Sequence, residues 1–259
     1  MKLNNFMPPV SIAKYVNNVI VLQDDKLTGE CVIPLIAKGM PSIAFQVTGP
    51  PAQNKNSNLV LYGQNLRPFE FYAAGHCTII AYFLHPHVLS SFFGLSANET
   101  TGLSIDLSLF GAAREINLVE QLLNAPSLQS RLELMNNYIL QLSGNLHADI
   151  NPSVTYAVNI IQRQNGLASL RNIQHELRVT ERTLQRMFDL HIGVSPKTFS
   201  KIWQFNSAFQ QLGSGQFSKL GDIAYQNGYA DQSHLIRVFK EFTNYSPKDY
   251  LKESAPFQD

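Results

Sequence analysis

The chain has 259 residues, 44% of them hydrophobic, with 20 Lys/Arg against 19 Asp/Glu and a formal net charge of +1. That length suits two modest domains or one large one, and the balance of charge announces no nucleic-acid partner. Its two cysteines, Cys31 and Cys77, supply neither a disulfide framework nor zinc spacing.

The opening MKLNNFMPPV carries no apolar signal segment, and no apolar run approaches a membrane span. The expectation is a soluble cytoplasmic protein without a membrane partner. Charge is split unevenly. Residues 1–150 hold 8 Lys/Arg and 10 Asp/Glu, whereas residues 151–259 hold 12 and 9.

In chain order, the first ninety residues read as short strands. VNNVIVL, CVIPLIA, SIAFQVTG, NLVLYG, FEFYAAG and CTIIAYFL are rich in Val, Ile, Phe and Tyr. Clusters such as GMP, GPPAQNKNSN and NLRP separate them. QNKNSN (53–58) is expected to be an exposed loop tip. This spacing predicts a β sandwich or small barrel. HVLSSFFG, SLFGAAREINLVEQLL and PSLQSRLELMNNYILQLSG then turn to helical spacing. Leu128, Leu132, Met135, Ile139 and Leu142 form a narrow heptad seam. It suits either packing on its own domain or a homodimer contact.

LHADINPSV (146–154) reads as a connection, and beyond it no strand pattern remains. Seven helices are predicted. Ser169, Thr180 and Ser195 stand at N-cap positions, Pro196 at a first helical position, and Gly166, Gly193 and Gly213 at or just past helix ends. Within this region TERTLQRMF (180–188) and DQSHLIRVF (231–239) repeat one pattern. An offset of 51 pairs Thr180 with Asp231, Leu184 with Leu235, Arg186 with Arg237 and Phe188 with Phe239. It also pairs Ser195-Pro196 with Ser246-Pro247, and Phe199 with Tyr250. Ile173 pairs with Ile223 at 50, so the second turn is longer by one residue. Gly228 supplies a turn residue free to take positive φ, while the first turn, LRVT, has no glycine.

Two helices joined by a tight turn form a helix-turn-helix. With Leu184, Met187 and Phe188 inward, Arg182, Gln185 and Arg186 face out. With Leu235, Val238 and Phe239 inward, Gln232, Ser233, His234 and Arg237 face out. Arg pairs bidentately with guanine and Gln with adenine.

The stretch 153–252 resembles the DNA-binding domain of the AraC/XylS family of bacterial transcription regulators. LASLRNIQHELRVTERTLQRMFDLHIGVSPKTF and IAYQNGYADQSHLIRVFKEFTNYSPKDY carry the likeness. The resemblance implies two helix-turn-helix motifs, 169–190 and 220–242, joined by a long helix at about Pro196 to Leu212. It implies base contacts from Arg182, Gln185, Arg186, Gln232, Ser233, His234 and Arg237, in major-groove segments one helical turn apart. The chain departs from the pattern at Asp189, where many members carry Lys or Arg.

The first part is similar to the cupin-like sensor domains that precede this module in many regulators. YFLHPHVLSSFFGLSANETTGLSIDLSLFG carries that likeness through Phe83 to Pro86, Phe93-Gly94 and Asp106 to Gly111. Such domains are thought to bind small effectors or to dimerise.

The fold expectation is therefore α+β. A β-rich, cupin-like sandwich or barrel with flanking helices (1–150) precedes an all-α domain with two helix-turn-helix units (151–259). The expected function is a sequence-specific DNA-binding transcription regulator controlled by its N-terminal domain, not an enzyme, and without cofactor or metal. The partners are double-stranded DNA, RNA polymerase if it activates, a small-molecule effector and a second copy. Two alternatives stay open. One is a sensor domain holding a metal at His85-Pro-His87, or reacting through Cys77 beside His76. The other is a helical adaptor that has lost DNA binding.

Overall fold

The computed structural model describes residues 2–24, 30–35, 39–49, 56–74, 76–109, 111–147, 149–215 and 217–253. Strands β1 (Lys2–Phe6), β2 (Val16–Asp24), β4 (Ser42–Gly49), β5 (Asn56–Tyr62), β7 (His76–Leu84) and β8 (Ser104–Asp106) make an antiparallel sheet in the order β1-β2-β7-β4-β5-β8. β3 (Glu30–Leu35) and β6 (Phe69–Ala74) form a second, two-stranded antiparallel ladder.

All six expected strands are present. β1 and β8 lie outside the expected set: β1 is a mostly exposed edge strand and β8 has three residues, so neither shows apolar alternation. QNKNSN divides. Residues 53–55 lie outside the described residues, and 56–58 open β5 instead of tipping a loop.

Cys77 to Ile80 of β7 are all buried, and the second half of the strand alternates: Ile80, Tyr82 and Leu84 are buried, while Ala81 and Phe83 are half-exposed, as a two-residue period requires. The inward set joins Val19, Val21, Phe45, Leu59 and Leu61 in one core. After β7 the chain makes α1 (Leu89–Phe93), α2 (Ala97–Thr100), β8 and a 3-10 turn at Leu107–Leu109. Three further helices follow: α3 (Gly111–Glu115), α4 (Leu118–Asn124) and α5 (Leu128–Gly144). Asn117, left-handed at φ 49°, breaks what the sequence predicts as one continuous helix into α3 and α4.

The heptad seam lies on α5 and is used inside the chain. Met135, Ile139 and Leu142 are buried in the sheet's own core, and Leu128 and Leu132 pack against it. Tyr82 secures the contact, its hydroxyl reaching the Leu132 carbonyl at 3.1 Å and Asn136 Oδ1 at 2.8 Å. Of the two readings of this seam, packing on its own domain is the one these contacts support. The spacing reports an apolar stripe but not its partner.

The remaining described chain is helical: α6 (Pro152–Arg163), α7 (Leu170–Leu177), α8 (Glu181–His191), α9 (Pro196–Gly213), α10 (Leu220–Gln226), α11 (Gln232–Thr243) and α12 (Pro247–Glu253). Two separate cores hold them. One joins Val154, Val158, Ile161, Ile173, Leu184, Phe188 and Phe199. The other joins Ile202, Phe205, Leu212, Ile223, Leu235, Val238, Phe239 and Phe242. Helix α9 contributes to both, Phe199 and Trp203 to the first and Ile202, Phe205, Ala208 and Leu212 to the second, and so acts as a shared spine.

Candidate nucleic-acid interface

Each helix-turn-helix begins from local hydrogen bonds. Ser169 Oγ accepts the Asn172 N–H at 3.3 Å and starts α7. Thr180 Oγ1 accepts the Thr183 N–H at 3.2 Å and starts α8. Asp231 Oδ1 does the same for the His234 N–H at 2.7 Å and starts α11. Such caps satisfy backbone donors that a helix start leaves open. The repeat extends to the helices that follow. Ser195 Oγ accepts from the Thr198 N–H at 3.1 Å, and Ser246 Oγ, 51 residues on, from the Asp249 N–H at 3.2 Å.

The two turns solve one problem differently. After α7 the chain reverses through Arg178, which takes a left-handed φ of 53° and bonds its N–H back to the Gln174 and His175 carbonyls. After α10, Gly228 takes φ 71°. A Cβ there would sit 2.6 Å from Leu167 Cδ2. The second turn is also tied to the spine. Asn227 is buried, donates from Nδ2 to Gln211 Oε1 at 2.8 Å, and accepts at its carbonyl from Gln204 Nε2 at 2.8 Å.

With Leu184 and Phe188 buried and Met187 half-buried, α8 exposes Arg182, Gln185 and Arg186. Their spacing of three and four puts them on one face. Arg171 and Arg178 are exposed on the same unit, so it carries four exposed guanidinium groups, each able to bond phosphate or guanine. On α11, Gln232, Ser233 and Arg237 are exposed above buried Leu235, Val238 and Phe239.

His234 differs from the expectation. It is half-buried, with its ring edge-on to Tyr229 at 5.3 Å and 87°, so it packs toward the turn. Gln232 also lines a cleft of about 370 Å³ with Phe217, Lys219, Leu220, Lys248 and Leu251. Tyr225, 86% exposed at the end of α10, is a hydrogen-bonding aromatic that the repeat did not single out. The signal was available in IAYQNG, where Ile223 and Ala224 face the core and the next side chain must face out.

The other candidates fare less well. Cys77 is fully buried in β7. A reactive thiol needs access and a polar setting, so the thiol-sensor alternative loses its support. His85 and His87 stack their rings at 5.9 Å and 14°, and His85 Nε2 lies 3.2 Å from the Ala13 carbonyl. Among the described residues no group of three or more His, Cys, Asp or Glu is arranged to hold a metal. The His76 side chain lies outside the described residues. No helix among them is long and apolar enough to cross a membrane.

Residues 174–253 match a family described as a helix-turn-helix domain. This is an AraC-type helix-turn-helix domain. Residues 4–106 of the chain that carries it match a family described only as a domain of unknown function. The AraC-type domain also has a curated relative, an uncharacterized HTH-type transcriptional regulator of Haemophilus influenzae. The two are 30% identical over 98 residues, which is 38% of this chain and 33% of the relative. The match thus spans about a third of that protein's length.

At the level of fold, the chain is similar to ToxT from Vibrio cholerae, with TM-score 0.50 and 14% identity over 90% of this chain and 97% of that one. ToxT bound to (E)-4-(8-methylnaphthalen-1-yl)but-3-enoic acid gives TM-score 0.51 and 13% identity over 97% and 99%. The shared architecture is an N-terminal antiparallel sheet region followed by the AraC-type helical domain.

Proposed function

We propose that the chain is a sequence-specific DNA-binding transcription regulator. Residues 151–259 are its DNA-binding domain, and residues 1–150 are a cupin-like domain that senses a small effector or joins two copies. The observation that carries this reading is the duplicated unit. Two capped helices, α8 and α11, each bury Leu and Phe at matching positions and turn Arg, Gln or Ser outward. A single chain thereby offers two reading heads, which most helix-turn-helix proteins obtain by dimerising. Arg182, Gln185 and Arg186 read bases from α8, while Gln232, Ser233 and Arg237 read from α11. His234, packed on Tyr229, contributes less. RNA polymerase is the further partner if the protein activates.

The effector is assigned to the N-terminal sheet region because the helical domain is given over to DNA. That a regulator of this fold takes a small effector is supported by the ToxT structure bound to an aryl-butenoic acid, an apolar ring system with a carboxylate. The test is selection of duplexes from a random pool by the full chain. An enriched site with two elements about 10 base pairs apart is expected. Affinity should also fall steeply with salt, because phosphate contacts release counterions. Failure to enrich any sequence at low salt would return the chain to the adaptor reading.

A further inference from the structure

The sheet region and the first reading helix meet at a joint built around histidines. Helices α1 and α2 pack on α8. Thr101 Oγ1 donates to the Gly193 carbonyl at 2.9 Å, just past the end of α8. Ser90 Oγ lies 3.3 Å from His191 Nδ1. Gly193 is left-handed at φ 87°, and a Cβ there would come within 2.6 Å of the Ala97 carbonyl oxygen. The contact is close enough that α8 cannot shift without breaking it.

Beneath it sits His87, 7% exposed, with Nδ1 buried and without a hydrogen-bond partner. Ser91 Oγ, on α1, is likewise buried and unpartnered. An unbonded buried polar atom is unfavourable, so the closed joint carries strain that opening relieves. The groups whose charge reaches His87 are His85, stacked on it, and His191, on α8. Both are histidines. His147 packs its ring on Gly94 at the end of α1, and its backbone N–H donates to the Ser91 carbonyl. Every proton added to His85, His87 or His191 therefore adds repulsion at a place with little water.

We propose that His85, His87 and His191 form an acid-released latch that holds the first reading helix against the sheet region and frees it on protonation. The latch rests on the assignment of α8 as a reading helix, and it adds the regulation of that helix. Burial, with the neighbouring His85 and His191, lowers the His87 pKa to about 4, and burial lowers those of His85 and His191. The closed joint thus binds fewer protons than the open one. Its stability is fully present above the ordinary histidine value of about 6.5 and is lost as pH falls from there toward about 4. For each group that titrates, the closed-to-open ratio falls by up to about tenfold per pH unit across that window.

Hydrogen–deuterium exchange on the full chain without DNA tests this at about pH 7.5 and about pH 5, after correction for intrinsic rates. Amides of Leu89–Leu103 and Phe188–Val194 should lose protection by about tenfold or more relative to β4 and β7 at the lower pH. His87→Gln, which cannot charge, should remove most of that response. If His87→Gln loosens the sheet itself at neutral pH, His191→Gln decides instead and should move the loss to lower pH. Equal protection of the wild type at both pH values overturns the latch, and so does an unchanged wild-type response in both variants. Because no DNA is present, a chain that opens with acid yet selects no duplex would keep the latch and lose the reading heads.

Discussion

The two helix-turn-helix units share a blueprint and differ in what surrounds them. The first is docked on the sheet region through α1, α2 and Thr101. The second is braced on the spine, through Asn227 on Gln211 and through the Lys201–Glu241 ion pair at 2.7 Å. That exposed pair adds at most about 1 kcal/mol. The aromatic packing differs as well. Phe188 meets Phe199, whereas Phe239 lies among Phe205, Phe209 and Tyr250. Both reading helices end on a left-handed residue at the same offset, Gly193 in the first unit and Asn244 in the second. Only Gly193 has the sheet region against its Cα. A repeat can therefore keep its helix geometry while one copy docks on the sheet region and the other on the spine.

Removing the core aromatics should break this comparison hardest. Phe188→Ala and Phe239→Ala should each cost about 3–5 kcal/mol. With two separate cores, exchange protection should fall in α6–α8 for the first and in α10–α12 for the second. Equal loosening of both units by either change would mean one core, not two.

The next effect is on reading. Arg186→Ala and Arg237→Ala should each cost about 1–3 kcal/mol on the best site and relax base preference. The relaxed positions should lie about 10 base pairs apart. Binding-site selection with each variant checks this, and unchanged preference in both would make the helices packing elements only.

Gly193→Ala should cost about 1–2 kcal/mol from the left-handed backbone alone, with the clash at Ala97 added. It should loosen α1–α2 from α8 at neutral pH and leave α11 untouched, as read by exchange. The turns come last, and the smallest effect is at Arg178. Arg178→Gly should stabilise the first turn by less than about 1 kcal/mol, because relief of left-handed strain is partly offset by a freer unfolded chain. Gly228→Ala should destabilise the second, since its Cβ meets Leu167. Chemical denaturation measures both.

The helical part was legible because its signals are local. Ser169, Thr180, Ser195 and Asp231 each cap the helix they precede, and an offset of 51 places Arg186 and Arg237 on equivalent exposed faces. The sheet region was legible only where apolar residues alternate. KLNNF forms an exposed edge with little to bury, so β1 left no pattern. The α5 stripe was visible, but its partner was not, because the contact with Tyr82 joins residues 50 or more apart. His234 read as an outward polar residue because the Tyr229 ring depends on the turn's shape. The histidine joint was hidden for the same reason. Gly193 reads as a helix stop, and nothing near it in sequence points to Thr101, 92 residues away.

Leu66, from the segment after β5, packs against both helical cores at once. Close by, the Gly39 carbonyl accepts from Gln64 Nε2 at 3.0 Å, and a Cβ on Gly39 would lie 2.8 Å from Ile202 on the spine. The sheet region thus supplies part of the interior of the helical domain. Chimeric regulators made by grafting another sensor in front of residue 152 would inherit a vacant socket where Leu66 sat. Grafts that bring their own apolar plug and a glycine seat should be soluble, and grafts lacking them should expose both cores at the seam.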